Sequence, residues 1–555
     1  MVHRFVLPVL ALTVACGDGG SNTSADTEPA ATGTDSAANS ATPGDDGDGG
    51  PGGNADADES GTDDGEPTTG GTTGTPPSDP GVHSTVVDEL PGGEPTACEW
   101  EWTIRTIHYH PSAVVPRRMY SASCNPGASA RMFTSLTVGD NAMHPDEDPS
   151  SGGIIVSDLD DAAGTLAPVD QRYFPECISM HGIAVSDDCN TIGALCRIPS
   201  ATEGFDKDVL ATHNAADWMT NPYVCGDRGM NDEMWLYEWT DGDIQSEPTK
   251  YIVHKSIGSW EYGNNYLRLD EEGDTYGIAV KATVGGADGP NTCHEADAFL
   301  VMDRGTETMT NRGWSWACGT GHTTFNRVAF NPSTGKYAMM CSTDYNDAQT
   351  GGLGAYVFRM EDGDANEFHY LNLDGIKSKG GASAIVPTPD GGYLGVLVGV
   401  DDKVVPDGYP TTPPTAIGLG HWGSDGEMDG GINWVVTDAE GYLSYSTLSV
   451  LSPDRYLLGW GVMRRLSEKD GENGEVSQRV PWEFWVMEID ASGTQLTEPL
   501  QLDGAGWGEL DEMVPLGQGR AGWAYIQDPA LTADFEYPDC NQPTLQLSVY
   551  TSPAG

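Results

Sequence analysis

From residue 98 on, short runs of β-branched and aromatic residues alternate with turns of Gly, Pro, Asp and Asn, and no apolar spacing of helical period persists for a useful length. One strand–turn–strand pattern is written six times. It reads IAVS-DDCN-TIGALCR from Ile183, YLRLD-EEGD-TYGIAVK from Tyr266 and RVAFN-PSTG-KYAMMCS from Arg327. It recurs as AIVPT-PDG-GYLGVLVG from Ala384, TLSVL-SPD-RYLLGWGV from Thr447 and EMVPL-GQG-RAGWAYIQ from Glu512, with a looser seventh copy, MYSAS-CNPGA-SARMFTSL, from Met119. Such pairs of β-rich runs across a short polar turn predict hairpins.

A second feature keeps the same phase. After each hairpin and a long polar loop comes another short apolar run, such as DEMWLYEWTDG, GAYVFRMEDG or EFWVMEIDASG, and the last of the seven, LQLSVYTSPAG, closes the chain. These read as outer strands. A further β-like run, such as TKYIVHKSIG or INWVVTDAEG, follows before the next hairpin, so the unit holds about four strands. A chain of such units resembles an all-β fold, the β-propeller, with seven four-stranded blades over residues 98–555. Two β-sandwiches are the competing arrangement. The Trp-Asp dipeptide of WD40 blades is absent. One hairpin, at Gly391-Gly392-Tyr393, resembles the kelch double glycine, and residues 269–276 resemble a sialidase Asp-box that lacks its Ser and has Glu at the Asp position.

The first 97 residues differ. Phe5 to Val14 is apolar apart from Pro8 and Thr13, too short for a hydrocarbon core of about 30 Å, and reads as the core of a signal peptide over residues 1–15. The run ends Leu12-Thr13-Val14-Ala15-Cys16-Gly17, which resembles a bacterial lipobox and implies a lipidated Cys16. Residues 16–90 follow as a linker of Gly, Asp, Thr, Ser, Ala and Pro; residues 17–97 carry 17 acids and no Lys or Arg. Such a composition is expected to stay disordered, because it cannot bury enough apolar surface to offset its ordering entropy. Asp45-Asp46-Gly47-Asp48-Gly49 lacks the spacing and terminal Glu of a calcium loop.

Charge narrows the partners. The chain holds 84 acidic and 27 basic residues, a net charge of −57, which argues against nucleic acid and against an anionic bilayer surface. Membrane attachment is expected through the N-terminal lipid only, on the bacterial outer membrane, with a monomer facing an envelope protein or a glycan. The lipobox, acidic stalk and cysteine-bearing β domain resemble in style the surface lipoproteins of environmental bacteria, myxobacteria among them.

Besides Cys16 there are ten cysteines. In an exported chain they imply up to five disulfides, with Cys98, Cys540, Cys189, Cys196, Cys318 and Cys341 as candidates. Closure of a ring would bring Cys98, at the start of the first unit, beside Cys540 near the last strand, so these two are expected to bond. No pair of Cys-x-x-Cys motifs points to zinc.

Candidate chemistry sits in the loops between second and third strands, which share one face of a propeller. They span 196–231, 281–295, 342–354, 400–414, 463–481 and 527–544, and carry Trp218, Tyr223, Asp344, Asp401, Asp402, Tyr409 and Arg464. Aromatics beside carboxylates suit a flat sugar face or calcium, the one cofactor these loops suggest; solvated acids and covered blade edges are the plainer alternative. His181 and His322 precede corresponding hairpins and are expected to make hydrogen bonds within the blade. No catalytic residue is assigned, because nucleophile elbows, Walker loops, His-Glu-x-x-His and dinucleotide fingerprints are all missing. The sequence therefore favours a ligand- or protein-binding module, with a polysaccharide-cleaving propeller enzyme and a structural envelope protein as alternatives.

Overall fold

A computed structural model describes residues 81–554 in part: thirty strands and most of the short turns that join them. The first strand, β1 (Gly81–Val87), is followed by a two-stranded ribbon of β2 (Trp100–Thr103) and β3 (Thr106–Tyr109). Blade 1 comprises β4 (Pro116–Cys124), β5 (Arg131–Val138), β6 (Ser151–Asp160) and β7 (Thr165–Phe174). Blade 2 comprises β8 (Ser179–Val185), β9 (Ile192–Ile198), β10 (Asp232–Trp239) and β11 (Thr249–Ile257). Blade 3 holds β12 (Tyr266–Leu269), β13 (Thr275–Gly285), β14 (Cys293–Asp303) and β15 (Thr308–Ser315). Blade 4 holds β16 (Asn326–Asn331), β17 (Lys336–Thr343), β18 (Ala355–Met360) and β19 (His369–Tyr370). Blade 5 is built from β20 (Ala384–Pro387), β21 (Tyr393–Gly399), β22 (Ala416–Trp422) and β23 (Asn433–Thr437). Blade 6 is built from β24 (Gly441–Ser452), β25 (Arg455–Arg464), β26 (Glu483–Ile489) and β27 (Leu500–Gln501). The last three strands are β28 (Val514–Gly517), β29 (Arg520–Gln527) and β30 (Thr544–Thr551).

Blade 7 takes its fourth strand from the other end of the chain. β1 pairs antiparallel with β30, Gly81 opposite Thr551 and Val87 opposite Leu545, and gives the order β28-β29-β30-β1. The fold is thus a seven-bladed β-propeller whose last sheet closes on an N-terminal strand. Two sequence expectations are corrected here. Residues 81–87 belong to the propeller, not to the linker, because β30 would otherwise present an unpaired edge. The seven runs read as outer strands are third strands; each has a fourth beyond it.

The first strand of each blade touches that of the next, and β28 touches β4, so seven first strands ring a central axis. Apolar side chains fill every seam. Met132, Leu166, Leu516 and Leu547 join blades 7 and 1, and Trp422 joins Met340 and Tyr393 between blades 4 and 5. Strands covered by neighbours on both sides are buried throughout: all seven residues of β8 and all seven of β9 are buried, Ser179, His181 and Arg197 included. Outer strands lack that cover, and β7 exposes Val169 and Tyr173.

Blades 1 and 2 are also joined covalently. Cys124, at the end of β4, bonds Cys189 in the β8–β9 turn. Cys177, between β7 and β8, bonds Cys196 in β9. Cys341 is disulfide-bonded as well. Cys98, Cys318 and Cys540 lie outside the described residues, and with them the expected closing pair. Structural disulfides fit an extracytoplasmic protein. No helix of the described residues is long and apolar enough to cross a membrane.

Candidate functional site

Antiparallel order sends the turns between first and second strands, and between third and fourth, to one face of the ring. We call this the turn face. Acids build its turns. Asp390 Oδ1 accepts from the Thr388 hydroxyl at 2.5 Å and from Gly392 N–H at 3.1 Å. Asp188 Oδ1 accepts from the Ser186 hydroxyl at 2.6 Å and Asn190 N–H at 3.0 Å. These bonds hold both carboxyls below the ordinary aspartate range, the hydroxyl bond weighing most in each. Asn331 joins two turns: its Nδ2 donates to the carbonyls of Thr388 at 3.0 Å and Gly392 at 2.7 Å. The turns are therefore set in place by local chemistry.

At the centre of this face lies a cavity of about 510 Å³, lined by residues of all seven first strands or the turns that follow them. Its walls are uneven. Blades 4 to 7 contribute Pro332, Pro389, Pro453 and Pro515, all exposed, as a rigid apolar rim. Blades 2 and 3 contribute Asp187 and Arg268. The Asp187 carboxyl is raised by desolvation, with the charge of Asp188 adding to it. Ser449 is in the wall, and its buried hydroxyl has no hydrogen-bond partner.

The inner end is crossed by a bridge between blades that are not neighbours. Arg268 Nη2, from β12, donates to Glu512 Oε1, just before β28, at 2.7 Å. Tyr266, also from β12, donates its hydroxyl to the same oxygen. Glu512 is the lining residue of blade 7 furthest from its turn, which puts the bridge at the floor. Burial pushes the Glu512 carboxyl well up and lowers Arg268 to about 10, so Arg268 stays cationic at neutral pH. The guanidinia of Arg268 and Arg327 also lie over the Tyr266 ring, each 5.2 Å from its centroid.

Of the ligand-binding candidates from the sequence, only Arg464 falls among the described residues. Trp218, Tyr223, Asp344, Asp401, Asp402 and Tyr409 lie outside the described residues, as does Cys16. Arg464 ends β25, opposite Gly441, where the strand meets the face away from the turns. Part of the expected loop 281–295 is strand instead: β13 and β14 pair out to Gly285 opposite Cys293. His181 is buried in β8, with its Nε2 hydrogen-bonded to the Ser179 hydroxyl at 2.5 Å, and His322 is outside the described residues. Among the described residues no cluster of three His, Cys, Asp or Glu side chains converges on a metal position. Asp187, Arg268, Ser449 and Glu512 escaped sequence reading, because each is one residue of an ordinary hairpin.

No family model matches the chain, and no curated protein does. Among solved structures it is similar to a Hadza microbial sialidase (11% identity, 63% of this chain and 63% of that one, TM-score 0.36). It is also similar to a polysaccharide lyase (9%, 76% and 88%, TM-score 0.36) and to Kuenenia stuttgartiensis hydrazine synthase (11%, 66% and 80%, TM-score 0.33). At these scores the likeness carries no argument about function.

Proposed function

We propose that this protein is a lipid-anchored module of the bacterial cell envelope that binds a ligand in the central cavity of its turn face. The observation that supports it most is the cavity itself: walls from seven blades, with Arg268–Glu512 crossing it. A volume of about 510 Å³ falls within the 300–1,000 Å³ common for small-molecule sites. Rigid turns around the mouth lower the ordering cost of binding. Anchoring rests on the Cys16 motif and on the acidic segment after it. Because β1 runs antiparallel to β30, Gly81 lies at the turn face.

Thermal melting of the mature chain against small amines, alcohols, carboxylates and oligosaccharides tests the binding. A ligand at about 100 times its dissociation constant should add about 2.7 kcal/mol of stability. A saturable rise in melting temperature is expected with at least one class; no rise with any would count against the module. A rise that decays as the ligand is consumed would favour the enzyme alternative.

A further inference from the structure

The charge inventory of the cavity narrows its ligand, on the reading that the cavity is the binding site. Four ionisable side chains line it: Arg268, Glu512, Asp187 and Tyr456, whose phenol is raised by burial and stays neutral. Arg268 and Glu512 answer each other at 2.7 Å. Asp187 stands exposed near the mouth, and no Lys, Arg or His among the described residues pairs with it. Its neighbour Asp188 is occupied by its own turn. Among the described residues Asp187 is therefore the charged lining side chain without an ion-pair partner, opposite walls of Pro389, Pro453 and Val450. A bare metal ion fits poorly, since no set of three ligands converges among the described residues. An anion would meet Asp187 without a free cation to answer it.

We propose that the cavity takes a small organic cation, an ammonium or amidinium group on a partly apolar body, with Asp187 as its counter-charge. The body lies against the proline rim, and the cationic head turns towards blade 2. The net charge of −57 raises the local concentration of cations over the whole surface, so the claim concerns discrimination within the cavity and not general attraction.

Titration calorimetry at fixed ionic strength with three compounds of one shape tests this on the full mature chain: cyclohexylamine, cyclohexanol and cyclohexanecarboxylate. The amine should bind at least tenfold more tightly than the alcohol, and the carboxylate weakest. Asp187→Asn should bring the amine down to the level of the alcohol. Glu498→Gln removes an exposed acid outside the cavity and should leave the tenfold preference intact. Equal binding of amine and alcohol by the unaltered protein would overturn the cation assignment while sparing the cavity as a site. A preference lost equally in both variants would assign it to the general field, against Asp187. If none of the three binds while another ligand of the melting panel does, the assignment falls and the module stands. If nothing binds at all, both fall.

Discussion

Arg268 of blade 3 and Glu512 at the entry to blade 7 lie 244 residues apart and meet at 2.7 Å across the ring, not along a seam. Hydrophobic packing along the seams joins neighbouring blades; across the ring this pair adds to the edge-on contact of the Tyr120 and Tyr266 rings of blades 1 and 3. Glu512→Gln would leave Arg268 facing a neutral amide. Because Arg268 is about a quarter exposed, the expected cost is about 2 kcal/mol, below the 3–5 kcal/mol typical of a fully buried pair. Denaturant unfolding of Glu512→Gln, Arg268→Met and the double variant should show coupling; additive losses would deny the bridge any energetic role.

The seams depend on glycines under aromatic rings. A Cβ on Gly277 would stand 2.5 Å from the Tyr337 ring of the next blade. The Tyr337 hydroxyl donates to the Thr275 carbonyl at 2.7 Å, and Tyr393 repeats the bond one blade on, to the Lys336 carbonyl at 2.7 Å. Gly277→Ala should therefore cost about 1–3 kcal/mol through overpacking, and Tyr337→Phe about 1 kcal/mol through one lost hydrogen bond. Gly431→Ala, where an added Cβ meets nothing within 4 Å, should be close to neutral. Equal losses at Gly277 and Gly431 would contradict the packing account.

Ring closure rests on β1. Val87 is buried with Leu545 and Leu547, and the Ser84 and Ser548 hydroxyls hydrogen-bond at 2.9 Å. A chain starting at residue 73 should melt with the full-length protein. One starting at residue 89 should melt far lower and self-associate through the bared edge of β30. Identical melting and monomeric behaviour of the two would show that the closing strand is dispensable.

The turn acids set the sign of the acid response. Asp188, Asp390 and Asp490 have folded pKa values below the ordinary aspartate value, held there by hydroxyl and main-chain donors although partial desolvation opposes it. The unfolded chain then binds more protons than the folded one between the two values. Their contribution to stability is fully present above about pH 4 and is lost as pH falls through the folded values. Melting temperature should drop below about pH 4, and Asp390→Asn with Asp490→Asn should make that drop shallower. An unchanged acid profile in the double variant would remove these turns from the account.

Much of this architecture could be read from the sequence, and the reasons for what could not are physical. Hairpins such as 183–197 carry β-rich runs and turn residues within one short window, so all seven were visible. Fourth strands were harder because they are exposed: β7 carries Asp170 and Gln171 among its apolar residues, and β27 is two exposed residues long. β1 is GVHSTVV beside an acidic linker, and its partner lies 464 residues away. The cavity was hidden for a related reason. Asp187 reads as an ordinary turn residue and Glu512 as the start of a hairpin; only ring closure places both around one space.

Hydrogen exchange of the mature protein, with and without whichever panel ligand raises its melting temperature, tests the binding site most directly. The cavity account predicts protection at residues 384–390, 448–453 and 512–515, on three blades at once, with little change in the segments that join second to third strands. Protection confined to 400–414, 463–481 and 527–544 would place the ligand on the opposite face and contradict the assignment of the central cavity.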